Sequence, residues 1–373
     1  MTTNAVNLNI LMVSTSYPKN LQDWSGRFIY NLAEALAQQS DLMLRLWASP
    51  GSLPLRVAAA ATSDELNWLH EMSNRGGIAH LLRRSPVQGL RWGLGLLWHL
   101  RHAYRREQQC DLFHVNWLQN ALPLLGTKKP LLVSVLGSDM GMLRLPGITP
   151  LLRHVFRQRK TIITPNADWM IAPLTAIFGD VAEIHLVSFG VDQIWFDISR
   201  APVQPTIWIA VTRLTQKKIG TLFEWGAGLF DEKRQLHLFG PMQEPLELPP
   251  WVRYHGPTHP AELAQNWFPK ATGLITLSQH DEGRPQVMLE AMAAGLPIIA
   301  SDLPAHRDLI RHKETGWLAK SKDDTLQGLK WLEQSASNSL VGLAARHWVL
   351  RNVGTWNDCA ARYTALYHRL LEQ

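Results

Sequence analysis

Cysteine is almost missing from this sequence: Cys110 and Cys359 are the only two in 373 residues. That scarcity excludes a disulfide framework and a cysteine-built metal centre, and both thiols are expected to be packed and reduced. No apolar run reaches the ~20 residues that span a bilayer as a helix, and the segment MTTNAVNLNILMVSTS has neither a charged n-region nor a cleavage site. The expected location is therefore cytoplasmic. Low-complexity tracts and short-period repeats are absent as well. What is present is the composition of an ordinary globular protein, 46% hydrophobic and 18% charged. The length exceeds what one core holds compactly, so two domains of about 170 to 200 residues are expected.

The net charge of +6 is unevenly distributed, because residues 1 to 195 carry 18 basic and 13 acidic side chains. Two stretches lack acids altogether: Arg75 to Arg106 with seven arginines, and Met140 to Ala167 with five basic residues. A field of that sign attracts nucleic acid, anionic lipid or phosphorylated substrates.

Near the start, NILMVSTSYP reads as a buried strand, KNLQDWSGRF as a loop with one glycine, and FIYNLAEALAQQ as a helix. Further strands are expected at 42–48, 111–117, 130–137, 160–165 and 183–188, with helical segments between most of them. The pattern restarts after SRAPVQP (199–205) with TIWIAVTRL, QLHLFGP, VRYHGP, GLITLS and LPIIAS, separated by helices such as TLFEWGAGLF and PQVMLEAMAAG. Such alternation predicts two α/β, Rossmann-like doubly wound domains whose strand carboxyl ends face each other across a cleft.

The most informative stretch is QHDEGRPQVMLEAMAAGLPIIASD, residues 279 to 302. Glu282 falls in a loop at a strand's carboxyl end. Pro285 marks the first helical turn, Gly295 ends the helix, and Glu290 lies inside that helix among Val, Met, Leu and Ala. A lone carboxylate there is costly, so Glu290 must pair, hydrogen-bond or face a polar ligand. The helix start from Arg284 to Val287 offers free N–H groups to a phosphate. Spacing alone also allows a structural salt bridge for Glu290 and plain solvation for Glu282.

In detail, EGRPQVMLEAMAAGLPIIASD resembles the Glu-x7-Glu signature of retaining glycosyltransferases of the GT-B fold, family 4, and TGWLAKSKDD resembles that family's TGxL segment. The resemblance implies that Glu282 holds donor-sugar hydroxyls and Glu290 the ribose hydroxyls, with Gly283, Arg284, Pro285, Gln286 and Val287 lining the donor. Arg284 departs from the aromatic residue frequent after the family's Glu-Gly. TRLTQKKIG (212–220) matches the family's Arg-x4-Lys element through Arg213 and Lys218, with Lys217 beside them. Fixed cations there would stabilise the charge developing on a departing nucleoside diphosphate. No Asp-x-Asp pair of the kind used by GT-A transferases occurs, so metal-independent transfer with no cofactor is expected. The base is expected near Tyr254 and His255.

In the first half, Gly26 in DWSGRF takes the place of the family's glycine-bearing loop, where the backbone approaches the donor phosphates or the acceptor; a plain turn glycine is the other reading. VSVLGSDM (133–140) resembles Thr-x-His-Gly-x-Asp, with Leu136 where many members carry histidine. The sugar contact of that histidine is then lost or supplied by another group, for which His114 is a candidate, but His114 in DLFHVNW is expected to be a half-buried strand residue. VSFGVD (187–192) resembles the loop entering the second domain, and WNDCAARYTALYHRLL the terminal helix. The resemblance divides the chain into an acceptor-side domain 1–198, a donor domain 199–355 and a terminal helix 356–373 that packs back on the first. The stretch around Arg83, Arg84, Arg91, Arg101, Arg105 and Arg106 has two open readings, an interfacial helix on an anionic membrane or a scaffold helix with solvated arginines.

The function this implies is transfer of a sugar from a UDP- or GDP-linked donor to a hydroxyl of a glycan or lipid-linked glycan, in polysaccharide or lipopolysaccharide synthesis, in the cytoplasm or on the inner face of the membrane. A catalytically silent sugar-binding partner and a nucleotide-sugar epimerase are the alternatives. No nucleic-acid-binding motif supports a nucleic-acid partner.

Overall fold

A computed structural model describes residues 7–20, 23–280 and 282–372, and the side chains of Ala79, His80 and Arg83 lie outside that description. The chain divides into two compact units, one running to Phe189 and resuming at Trp356, the other spanning Gly190–Thr355. Each is built on one parallel sheet.

In the first unit the strands are β1 (Leu8–Val13), β2 (Leu42–Trp47), β3 (Val57–Ala59), β4 (Leu112–Asn116), β5 (Leu131–Val135), β6 (Thr161–Pro165) and β7 (Glu183–Ile184). They lie in the order β3-β2-β1-β4-β5-β6-β7. Alternation along β1 sends Ile10 and Met12 to one core, and Leu11 and Val13 to the other. Both faces are therefore apolar, as a parallel sheet covered by helices requires. The Arg27–Ala37 helix covers one face with Ile29, Leu32, Ala33 and Leu36, spaced by three and four residues. It packs beside the terminal Trp356–Leu371 helix.

The terminal helix is also held by polar contacts. His114, fully buried in β4, lies 2.7 Å from the Tyr367 hydroxyl and 2.8 Å from Ser134 Oγ, and Ser134 Oγ lies 2.9 Å from the Tyr363 hydroxyl. Burial pushes the His114 imidazole down to about 3, so it stays neutral. The half-buried strand histidine expected from sequence is thus fully enclosed, because the terminal helix covers that side of the sheet.

The second unit carries β8 (Thr206–Val211), β9 (Arg234–Phe239), β10 (Val252–Gly256), β11 (Gly273–Thr276), β12 (Ile298–Ser301) and β13 (Trp317–Ala319), in the order β10-β9-β8-β11-β12-β13. It begins at Gly190 rather than at residue 199, since Val191, Trp195 and Phe196 are buried in its core and Val191 bridges to Thr355.

Two expected elements are shorter than their sequence suggests, and one strand is additional. The strand expected over 183–188 is a ladder only at Glu183–Ile184. Val187 still donates to the Pro165 carbonyl at 3.0 Å, but Pro165 has no N–H to return a bond. TLFEWGAGLF is helical only over Leu222–Gly226, because the Gly226-Ala227-Gly228 run ends the helix. The three-residue edge strand β3 was not expected at all.

The arginine-rich stretch forms two helices and not the single one expected, Ile78–Arg84 and Pro86–Arg106, broken at Ser85 before Pro86. Arg106 donates to both Glu65 carboxylate oxygens and to the Ala60 carbonyl, and Arg101 donates to the Leu125 carbonyl at 3.0 Å. These two arginines anchor the helix to its own unit and are not the outward cations expected from sequence.

Removing the hydroxyl in Tyr367→Phe leaves the His114 ring nitrogen buried without its partner. Urea denaturation of this variant should show a loss of about 1 to 2 kcal/mol.

Candidate functional site

An open parallel sheet changes direction where successive strands lie on opposite sides of the first, and its loops part there. In the second unit that point is between β8 and β11. The loops that follow these two strands carry Arg213 to Lys218, and Ser278 to His280 with Glu282.

After β8 the chain turns into the short Gln216–Ile219 helix, capped by Thr215, whose hydroxyl accepts the Lys218 N–H at 3.2 Å. This helix is laced to the neighbouring loop. Gln279 N–H donates to the Lys217 carbonyl at 2.8 Å, and Thr221 N–H to the Leu277 carbonyl at 3.1 Å. At Gly220, with φ of 54°, a Cβ would stand 2.0 Å from the Leu277 carbonyl oxygen, so only glycine allows the two loops to close.

The lacing brings Lys218 Nζ against Glu282 Oε1 as an ion pair with side chains 13% and 17% exposed. Burial lowers the Lys218 pKa, Glu282 opposes the shift, and Arg213 adds to it. Arg213 and Lys217 present exposed side chains nearby in sequence.

Two histidines that the sequence reading passed over lie in the same electrostatic neighbourhood. His280 is half-buried and lowered in pKa by burial and by Lys218, with Glu282 opposing. His306 is fully buried and lies 2.8 Å from the Ser301 carbonyl through Nδ1, which donates; its Nε2 has no partner among the described residues. Both the Lys218 and the Glu282 charges act on it. Isolated loop histidines leave no periodic signal; His280 comes with the loop of Glu282, and the sheet order brings His306 here.

The Gln286–Ala293 helix starts one residue later than expected, with Pro285 as its cap residue. The backbone N–H groups of Gln286 and Val287 have no acceptor among the described residues. They therefore present the positive end of the helix to an anion. The Gln286 side chain itself donates to the Gly190 carbonyl at 2.8 Å, and Val287 packs on the core. Gly283 and Pro285 are buried, and Arg284 is half-buried.

The Glu290 carboxyl makes no hydrogen bond or ion pair with any described residue. Burial, and then the charge of Asp192, raise its pKa to about 8. The acid avoids the cost of a buried charge by keeping its proton near neutral pH. It can then meet hydroxyl groups as a donor or, once ionised, as an acceptor.

The remaining expected residues stand on other elements. The Tyr254 hydroxyl donates to the Gly240 carbonyl at 2.8 Å, and His255 stacks on Phe239 and lies 2.9 Å from His237 Nδ1. In the first unit, Gly26 has φ of 68°, and a Cβ would come within 2.8 Å of the Ser16 and Tyr17 backbone. Leu136 packs on the core, and its N–H donates to buried Asp139 at 3.1 Å. Asp139 also accepts from Leu118, which ties the ends of β4 and β5 together.

Residues 206–333 match the family model described as Glycosyl transferases group 1. Sucrose-phosphate synthase from Thermosynechococcus elongatus superposes with a TM-score of 0.73 at 16% identity, covering 98% of this chain and 99% of that one. HepE of Anabaena, solved in complex with UDP, superposes with a TM-score of 0.66 at 12% identity over 96% of this chain and 99% of that one. The fold is GT-B. An uncharacterized glycosyltransferase of Haemophilus influenzae is 34% identical over 70 residues, which are 18% of this chain and 20% of that protein. The group 1 match covers the loops after β8 and β11, the capped Gln286–Ala293 helix and Glu290.

The raised pKa of Glu290 gives a signed expectation. A folded-state pKa near 8 against an ordinary value near 4.5 means that this group's contribution is fully present below pH 4.5 and is lost as the pH rises through 8. Glu290→Gln removes that loss. Its thermal stability should match the parent at pH 4.5 and exceed it by roughly 1 to 3 kcal/mol at pH 9, less than full linkage because the residue keeps some solvent contact.

Proposed function

We propose that the protein is a retaining, metal-independent glycosyltransferase that moves a sugar from a UDP- or GDP-linked donor to a hydroxyl of a glycan or lipid-linked glycan. The observation that carries this reading is the pairing of Lys218 with Glu282 at the switch point of the second sheet, beside a helix start whose first N–H groups lack an acceptor among the described residues and an unpartnered Glu290 carboxyl. A nucleotide sugar needs cations and N–H groups for its diphosphate and carboxyls for its hydroxyls. All of these lie on the loops after β8 and β11 and on the helix that follows.

In the unliganded protein Lys218 and Glu282 neutralise each other. A donor separates their roles, Lys218 and Arg213 turning to the diphosphate while Glu282 accepts from sugar hydroxyls. Glu290 takes the ribose hydroxyls, and Gln286 and Val287 N–H groups meet a phosphate oxygen. The acceptor oxygen forms its bond to the anomeric carbon on the face from which the diphosphate oxygen leaves. Its proton passes to that departing oxygen, giving glycoside and nucleoside diphosphate. The charge that grows on the diphosphate meets cations already fixed in place, so little reorganisation is required. Likeness to HepE, solved with UDP, supports the uridine option.

Thermal-shift measurements with UDP, GDP, ADP and their sugars in the presence of EDTA test the donor site. The matching diphosphate at about 100 times its Kd should stabilise by about 2.7 kcal/mol, whereas no stabilisation by any nucleotide would overturn the reading. Lys218→Ala should cost about 100- to 1,000-fold in kcat. Glu282→Gln should abolish transfer while largely sparing diphosphate binding, and equal loss of both would reassign Glu282.

A further inference from the structure

The Pro86–Arg106 helix buries one face through Leu96, Leu100, Ala103 and Tyr104. On a surface helix the opposite face is normally polar. Here it is not: Val87 is 81% exposed, Leu90 61%, Leu94 59% and Trp98 57%. At about 100° per residue these four fall within about 80° of arc, roughly opposite Leu96 and Leu100. Leu82, at the end of the preceding Ile78–Arg84 helix, is exposed too.

The cations complete the pattern. Arg91 and Arg105 share the angular sector of the apolar stripe, and Arg84 stands at the end of the shorter helix. All three are exposed and have no acidic partner among the described residues. The sequence contains no acid from Met72 to Arg106. Arg101 and Arg106 serve as internal anchors, so the outward charge rests on the other three.

We propose that this outward face docks on an anionic lipid bilayer, with the stripe at the level of the acyl boundary and Arg84, Arg91 and Arg105 among the headgroups. Charge selects the occupant. A second copy seated face to face would bring the same arginines against one another, whereas an anionic bilayer offers both an apolar layer and compensating charge. Trp98, with an apolar body and a polar N–H, suits that boundary. No described helix is long and apolar enough to cross a membrane, so the contact is superficial. The proposal specifies where a lipid-linked acceptor would be met, and it does not depend on the donor site.

Co-sedimentation of the full chain with vesicles, without nucleotide, tests it. The protein should partition to phosphatidylcholine vesicles containing about 30% phosphatidylglycerol, should ignore pure phosphatidylcholine, and should be released as salt rises to about 0.5 M. Leu94→Glu with Trp98→Glu, and separately Arg91→Glu with Arg105→Glu, should each lower partition at least about tenfold with unchanged melting temperature. Because Cys110 and Cys359 are buried, Leu94→Cys can carry an environment-sensitive fluorophore whose emission should shift to the blue on anionic vesicles. No co-sedimentation, partition that survives both double variants, or emission that does not move would overturn the proposal. So would a dimer in size exclusion that becomes monomeric in Leu94→Glu without any vesicle binding.

Discussion

Parallel strand pairing is the constraint from which the rest follows. Every paired strand in both described sheets runs parallel to its neighbour. A parallel pair cannot be closed by a tight hairpin, so each strand must be followed by a crossover that returns the chain to the starting edge. All the strands of a unit therefore release their loops on one edge. The order of strands then decides which loops part and which stay covered. In the second unit β8 has β9 on one side and β11 on the other, and the loops that part hold Lys218 and Glu282.

Charge burial is handled differently on the two sides of that site. Lys218 and Glu282 keep their charges by sharing them, which leaves each available to a ligand with complementary groups. Glu290 has no such partner and retains a proton instead. The sequence suggested that a carboxyl inside an apolar helix must pair, bond or face a ligand; protonation is a fourth course, which depends on Asp192 as well as on burial. Asp192 is distant in sequence and gives no local sign of the effect.

Buried central strands were legible because they are short apolar runs bounded by turns, and the motif of two glutamates was legible because loop, helix start and glycine stop follow in order. The edge strand β3 was not, since two of its three residues are exposed and carry no alternating pattern. The enclosure of His114 depends on a helix more than 240 residues later. His280 stands two residues before Glu282, but His306 becomes a neighbour of the ion pair only through sheet order. The helix Pro86–Arg106 defeated periodicity for another reason: with apolar residues on two faces, spacing does not say which face the protein buries.

The docking of the terminal helix has a consequence for synthesis. Residues from Trp356 onward complete the core of the unit that the chain begins, through Tyr363, Tyr367 and Leu370. A ribosome releases Gly190–Thr355 before it releases that helix, so the second unit has its full complement of residues while the first still lacks a wall. Domains tend to fold as they emerge, amino-terminal first. Here the domain begun first is the last that can be finished, and until then one side of its sheet, with the His114 imidazole, stands open.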